Sequence, residues 1–166
     1  FGLNNDDGAD RPFISPLPDS QGPRATYKDR DSEGITHDPD SGQFWVSYEV
    51  NHAIRRFSRS FARSTGIVRP MEMQGWPSNK GAESIIRLSD GRFVAIAESL
   101  EDDDTHQALL FSGDPVESGT NITPFRYHPP AGYRVTDGVQ LPDGRLLILN
   151  RSVGLPNGFA AKIAVV

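Results

Sequence analysis

One short segment is written three times in this chain. Ser32-Glu33-Gly34-Ile35 runs through Asp38-Pro39-Asp40-Ser41-Gly42 into Phe44-Trp45-Val46-Ser47-Tyr48-Glu49. Ala82-Glu83-Ser84-Ile85 runs through Ser89-Asp90-Gly91 into Phe93-Val94-Ala95-Ile96-Ala97-Glu98, and Thr136-Asp137-Gly138-Val139 through Pro142-Asp143-Gly144 into Leu146-Leu147-Ile148-Leu149-Asn150-Arg151. Each copy opens on a carboxylate, turns at a glycine and places a charged residue seven positions beyond that glycine. The opening carboxylates lie 50 and then 54 residues apart. A period of that size belongs to architectures in which one supersecondary unit stacks on the next.

The segments around the glycines read as hairpins, because Asp-Gly or Ser-Gly separates two apolar runs. Phe44, Val46 and Tyr48 point opposite to Trp45 and Ser47, Phe93, Ala95 and Ala97 opposite to Val94 and Ile96, and Leu146 and Ile148 opposite to Leu147 and Leu149. Strands apolar on both faces are expected to be covered on both faces. A two-layer sandwich would alternate apolar and polar residues more cleanly. Small sheets stacked around an axis satisfy the pattern, so the expectation is an all-β fold, a β-propeller.

Third strands are expected at residues 53–57, 108–111 and 160–166, and fourth strands around Ile67-Val68 and Thr123–Tyr127. Four strands in about 50 residues make one blade. Residues 1–24 read as an irregular lead-in, and 25–166 as a partial propeller with blades near 28–75, 76–130 and 131–166. Three blades do not close a ring. The expectation is part of a six-bladed ring, the remaining blades coming from a longer parent chain or from a second copy.

Composition narrows the function classes. Sixteen glycines and 13 prolines suit many turns, and the hydrophobic share of 36% is modest. The 22 acidic against 17 basic residues, a net charge of −5, argue against a nucleic-acid footprint. There is no cysteine, which excludes disulfides, thiolate metal sites and cysteine nucleophiles. No apolar run approaches the roughly 20 residues of a membrane span. No nucleophile elbow, Walker loop or dinucleotide fingerprint occurs.

If each repeat starts an innermost strand, Glu33, Glu83 and Asp137 are equivalent positions around one axis. Carboxylates so gathered repel one another and invite a cation or a proton. Hard oxygen ligands suit calcium or magnesium. The alternative is that these acids satisfy turn N–H groups. Glu49, Glu98 and Arg151 form a second equivalent set near the same mouth; Arg151 either pairs with a carboxylate or holds an anionic ligand bidentately. Asn79 and Lys80 precede the second inner strand and could present donors to an anion, or simply build a turn. Glu101-Asp102-Asp103-Asp104 reads as a solvated loop tip. Of His37, His52, His106 and His128, His37 lies nearest the proposed mouth and reads as structural.

The strings Asp31-Ser32-Glu33-Gly34-Ile35, Val46-Ser47-Tyr48-Glu49, Asn79-Lys80-Gly81-Ala82-Glu83-Ser84, Ala97-Glu98, Thr136-Asp137-Gly138 and Leu141-Pro142-Asp143-Gly144-Arg145-Leu146-Leu147-Ile148-Leu149-Asn150-Arg151 together resemble the phytase-like family, whose domain is described as "esterase-like activity of phytase". The likeness runs over about residues 28–166. It implies a bacterial, exported (periplasmic or extracellular) propeller associated with phosphoester hydrolysis. Carried onto this chain, it implies Glu33, Glu49, Glu83 and Asp137 as metal ligands, with calcium as the expected ion. Glu83, Glu98 and Arg151 would be catalytic, and Asn79, Lys80 and Arg151 would contact a small anionic or phosphorylated substrate. Asn150 stands where an acid is expected. A non-catalytic binding propeller and a calcium-dependent lactonase-like hydrolase are the competing expectations.

Overall fold

The computed structural model describes residue 17 and residues 31–61, 63–98, 105–154 and 158–166. Among the described residues eleven strands carry the fold: β1 (Ser32–His37), β2 (Phe44–Tyr48), β3 (Ala53–Phe57), β4 (Ser64–Val68), β5 (Ala82–Arg87), β6 (Phe93–Ala97), β7 (His106–Phe111), β8 (Ile122–Tyr127), β9 (Arg134–Gln140), β10 (Leu146–Gly154) and β11 (Gly158–Val165). A 3-10 turn, Met71–Met73, lies between the first sheet and the second. The strands pair in chain order into β1-β2-β3-β4, β5-β6-β7-β8 and β9-β10-β11, every pairing antiparallel. All-antiparallel meanders need only short turns, which the glycine- and proline-rich segments supply.

The first strands of successive sheets lie side by side: β1 packs along β5, and β5 along β9. Three meanders meeting at their innermost strands are propeller blades. Strand β6 shows why the sequence demands this. All five of its residues are buried. Phe93, Ala95 and Ala97 join Trp45, Ile54, Trp76, Ile85 and Phe111 in the core between blades one and two. Val94 and Ile96 join Ile86, Leu88, Val135 and Ile148 in the core between blades two and three. A strand with two apolar faces is stable only when another sheet lies on each.

Strand β10 departs from the expectation drawn for it. Its Ile148 is buried against blade two, but Leu149 is exposed. Val139, Ile163 and Val165, on the cross-strand neighbours, are exposed as well. Among the described residues none packs on this face of blade three.

Blades one and two are also tied at their outer parts. Asp114 accepts from the Trp45 indole N–H at 2.8 Å and from Arg56 at 2.6 Å, and Arg56 reaches Glu117 at 2.6 Å. These contacts fix how far the two sheets splay, and so how closely their inner ends converge.

Candidate functional site

Antiparallel pairing brings the ends of β2 and β6 beside the starts of β1 and β5. Ser32 lies opposite Tyr48, and Ala82 opposite Ala97. The ladder continues one step further, with Glu49 N–H donating to the Asp31 carbonyl at 2.9 Å and Glu98 N–H to the Gly81 carbonyl at 3.0 Å. An acid opening one strand therefore sits beside an acid closing the next. Because β1 and β5 are adjacent, the two pairs meet.

The result is a cluster of five carboxylates. Oxygens of Glu49, Glu83 and Glu98 lie within 4.8 Å of one another, and so do those of Asp31, Glu33 and Glu49. Glu49 belongs to both groups. Gly81 makes this approach feasible: a Cβ there would stand 2.5 Å from the Glu49 Cα, so no larger residue fits. The Gly81 N–H also donates to the Glu49 carboxylate.

Bulges aim two of these acids. Between Ser32 and Ile35, β1 carries one residue more than β2, and Glu33 falls within that step. In β5 the extra residue is Glu83 itself, between the pairs Ala82–Ala97 and Ser84–Ile96. A bulge turns its side chain out of the regular alternation, a recurrent device beside functional sites.

Gathering the acids holds protons on them. Glu83, 8% exposed, is pushed up to about 7, first by burial and then by the charges of Glu33 and Glu98, with Glu49 adding to the effect. Arg151 opposes that rise from blade three. Glu33 is raised by burial and then by Asp31 and Glu98, again against Arg151. Glu49 is raised by burial, then by Glu33, while the Gly81 N–H pulls it down.

The oxygen spacing suits a hard cation. Calcium–oxygen bonds of about 2.3–2.6 Å place two ligands of one ion no more than about 5.2 Å apart, and both carboxylate groups meet that limit. Asp31, Glu33, Glu49, Glu83 and Glu98 are the residues that would hold it.

Against the known families, the phytase-like model, described as esterase-like activity of phytase, matches residues 3–166. The chain belongs to this family. Among solved structures, a luciferin-regenerating enzyme superposes on the phytase-like chain with a TM-score of 0.50 at 19% identity. The match covers 81% of this chain and 44% of that enzyme, so the chain spans less than half the enzyme's length, and the likeness is one of fold. Comparison with curated protein sequences gives no match.

The phytase-like chain thus brings Glu33, Glu49, Glu83 and Glu98 together and turns Arg151 toward them. It does not bring in Asp137. In β9 the extra residue is Thr136, between the pairs Asp137–Leu149 and Val135–Asn150. Counted from the turn glycines, Gly138 opposite Ile148 corresponds to Ile85 opposite Ala95, so Thr136 occupies the place of Glu83. Asp137 stays in the regular ladder, is exposed, and accepts the Gly138 N–H at 2.7 Å. Asn150 is fully buried, with its Oδ1 accepting from the Tyr127 hydroxyl at 3.2 Å and its amide donating to the Ile148 carbonyl at 3.0 Å. Its role in this position is packing.

Asn79 is exposed, whereas Lys80 is buried. The Glu101–Asp104 run lies outside the described residues. His37 stacks on Phe44 with ring centroids 4.4 Å apart. Two contributors escaped the sequence reading. Asp31, just before β1, brings its carboxylate within 4.8 Å of those of Glu33 and Glu49. Arg134, directly across the ladder from Arg151, pairs with Glu98 at 3.2 Å.

Proposed function

We propose that this chain provides the cation-binding and catalytic mouth of a metal-assisted phosphoester hydrolase. The observation that carries the reading is the convergence, from two blades, of five carboxylates at calcium-ligand spacing. A divalent cation bound there would offset the carboxylate repulsion, neutralise a substrate phosphate and lower the pKa of water.

The chain's own residues supply the rest. Glu83 holds a proton near neutrality and is buried, so it suits proton exchange with an attacking water. Glu98, the second candidate base, is kept in place by Arg134. Arg151 faces the acids across blade three, where it would complement charge developing on phosphate oxygens.

Calorimetric titration with calcium, followed by p-nitrophenyl phosphate turnover with calcium or EDTA, tests the proposal. The expected result is micromolar to millimolar binding and calcium-dependent release of p-nitrophenol. Absence of calcium binding to the native protein would sink it. Binding without turnover of any phosphate ester would reduce the site to a ligand-binding one, and turnover of lactones alone would change the substrate class.

A further inference from the structure

The five acids at the mouth are not partnered alike. Among the described residues Glu98 alone of the five has an ion-pair partner, Arg134, which donates to its Oε1 at 3.2 Å. Asp31, Glu33, Glu49 and Glu83 face one another without one. Arg134 comes from blade three, where it opens β9 and stands directly across the ladder from Arg151. Like charges placed opposite each other on a sheet repel. The strand pairing therefore favours drawing one guanidinium aside, and Glu98 is what draws it. Arg151 stays exposed and has no ion-pair partner among the described residues.

The Arg134–Glu98 contact is easily given up. It is one N–H to one oxygen, and the Arg134 side chain is 44% exposed. An exposed single-contact pair is among the weakest of ion pairs, whereas calcium offers the same carboxylate a double charge at about 2.3–2.6 Å. A Glu98 oxygen is also one of the three, with Glu49 and Glu83, that lie within 4.8 Å of one another. A cation held by those three takes the carboxylate that Arg134 uses, and the two positive groups then repel.

We propose that Arg134 is an exchangeable counter-ion: it pairs with Glu98 in the cation-free protein and passes to the oxyanion of a phosphate ester when a cation takes Glu98. The released guanidinium lies beside Arg151, so two planar forks face the incoming anion. The inference rests on reading the acid cluster as a cation site, and it adds a coupling to that site. Cation and oxyanion each draw on one half of the same ion pair, so each makes the other's binding easier.

The test is a pair of calorimetric calcium titrations, with and without phenylphosphonate, a phosphate-ester mimic whose carbon–phosphorus bond resists hydrolysis. In the parent, saturating phenylphosphonate should tighten calcium at least about fivefold. In Arg134→Gln calcium alone should bind as tightly or a few-fold tighter, its competitor being gone, and phenylphosphonate should change that affinity by less than about twofold. Arg145→Gln, which removes an equal charge from the exposed Asp143 pair, should keep the parent's coupling. Glu98→Gln gives a second reading without calcium, and decides the matter should Arg134→Gln not fold. With its partner neutral, Arg134 is free from the start, and phenylphosphonate in EDTA should bind at least about threefold tighter than to the parent.

Weaker calcium binding in Arg134→Gln would make the pair a fixed brace for Glu98. Coupling that survives in that variant would mean that the oxyanion meets the cation alone. Either result, calcium binding in the parent that phenylphosphonate does not alter, or no gain in Glu98→Gln overturns the inference and leaves the hydrolase reading standing. A parent that ignores calcium removes both.

Discussion

Blades two and three are built from almost the same words and behave differently. In blade two the repeated acid is the extra residue of a bulge, and both faces of the central strand are buried. In blade three the bulge falls at the same place but on Thr136, the acid following it by one residue, and one face is open. The acid in the third copy stands seven residues before its turn glycine, and in the second copy eight. Because strand side chains alternate with a period of two, a single-residue offset moves a side chain to the opposite face. Identical chemistry written one position apart thus joins the acid cluster in one blade and accepts its own neighbour's N–H in the other.

The widest gap between the two blades should be in packing. Phe93→Ala removes a ring held between blades one and two, and should cost about 3–5 kcal/mol in urea unfolding. Ile163→Thr, on the open face of blade three, should change stability by less than about 0.5 kcal/mol. Equal losses would mean that the open face is covered in solution.

Next is pH. Glu83 has a folded pKa raised from 4.5 to about 7. The folded state therefore binds more protons than the unfolded one between those values, and cation-free stability falls as pH rises from about 4.5 to 7, then levels off. Glu83→Gln removes that penalty, so in EDTA at pH 8 the variant should be more stable than the parent by up to roughly 3 kcal/mol. Asp137→Asn should show no such gain. Melts at pH 5 and pH 8 compare the four cases.

Cation binding discriminates more finely. Glu83→Gln should weaken calcium at least about tenfold, whereas Asp137→Asn should stay within about twofold. In the parent, calcium affinity should rise between pH 6 and 8 as Glu83 gives up its proton. A smaller effect than that of Glu83→Gln is expected from Thr136→Glu, which writes a carboxylate at the bulge of blade three and should tighten calcium by a few-fold. A loss of affinity there would show that the third bulge does not face the cluster.

The propeller was legible because it depends on features spelled out locally. Turn glycines, doubly apolar strands and a period near 50 residues each predict the meander and its stacking. Four of the clustered acids were legible for the same reason. Asp137 was misplaced because letters align by identity, while faces are set by register, and a bulge changes register without leaving a mark in composition. Asp31 and Arg134 were missed because neither belongs to the repeated words. The charge of Lys80 could be read, but its burial is a tertiary outcome that no local pattern encodes.

Gly81 gives these arrangements a mechanical meaning. Its amide is bonded to the Glu49 carboxylate, its carbonyl to Glu98, and its neighbour in the chain is Lys80. It acts as a rivet between two hairpins: any side chain there would force the Glu49 backbone away and part the carboxylates that meet beside it.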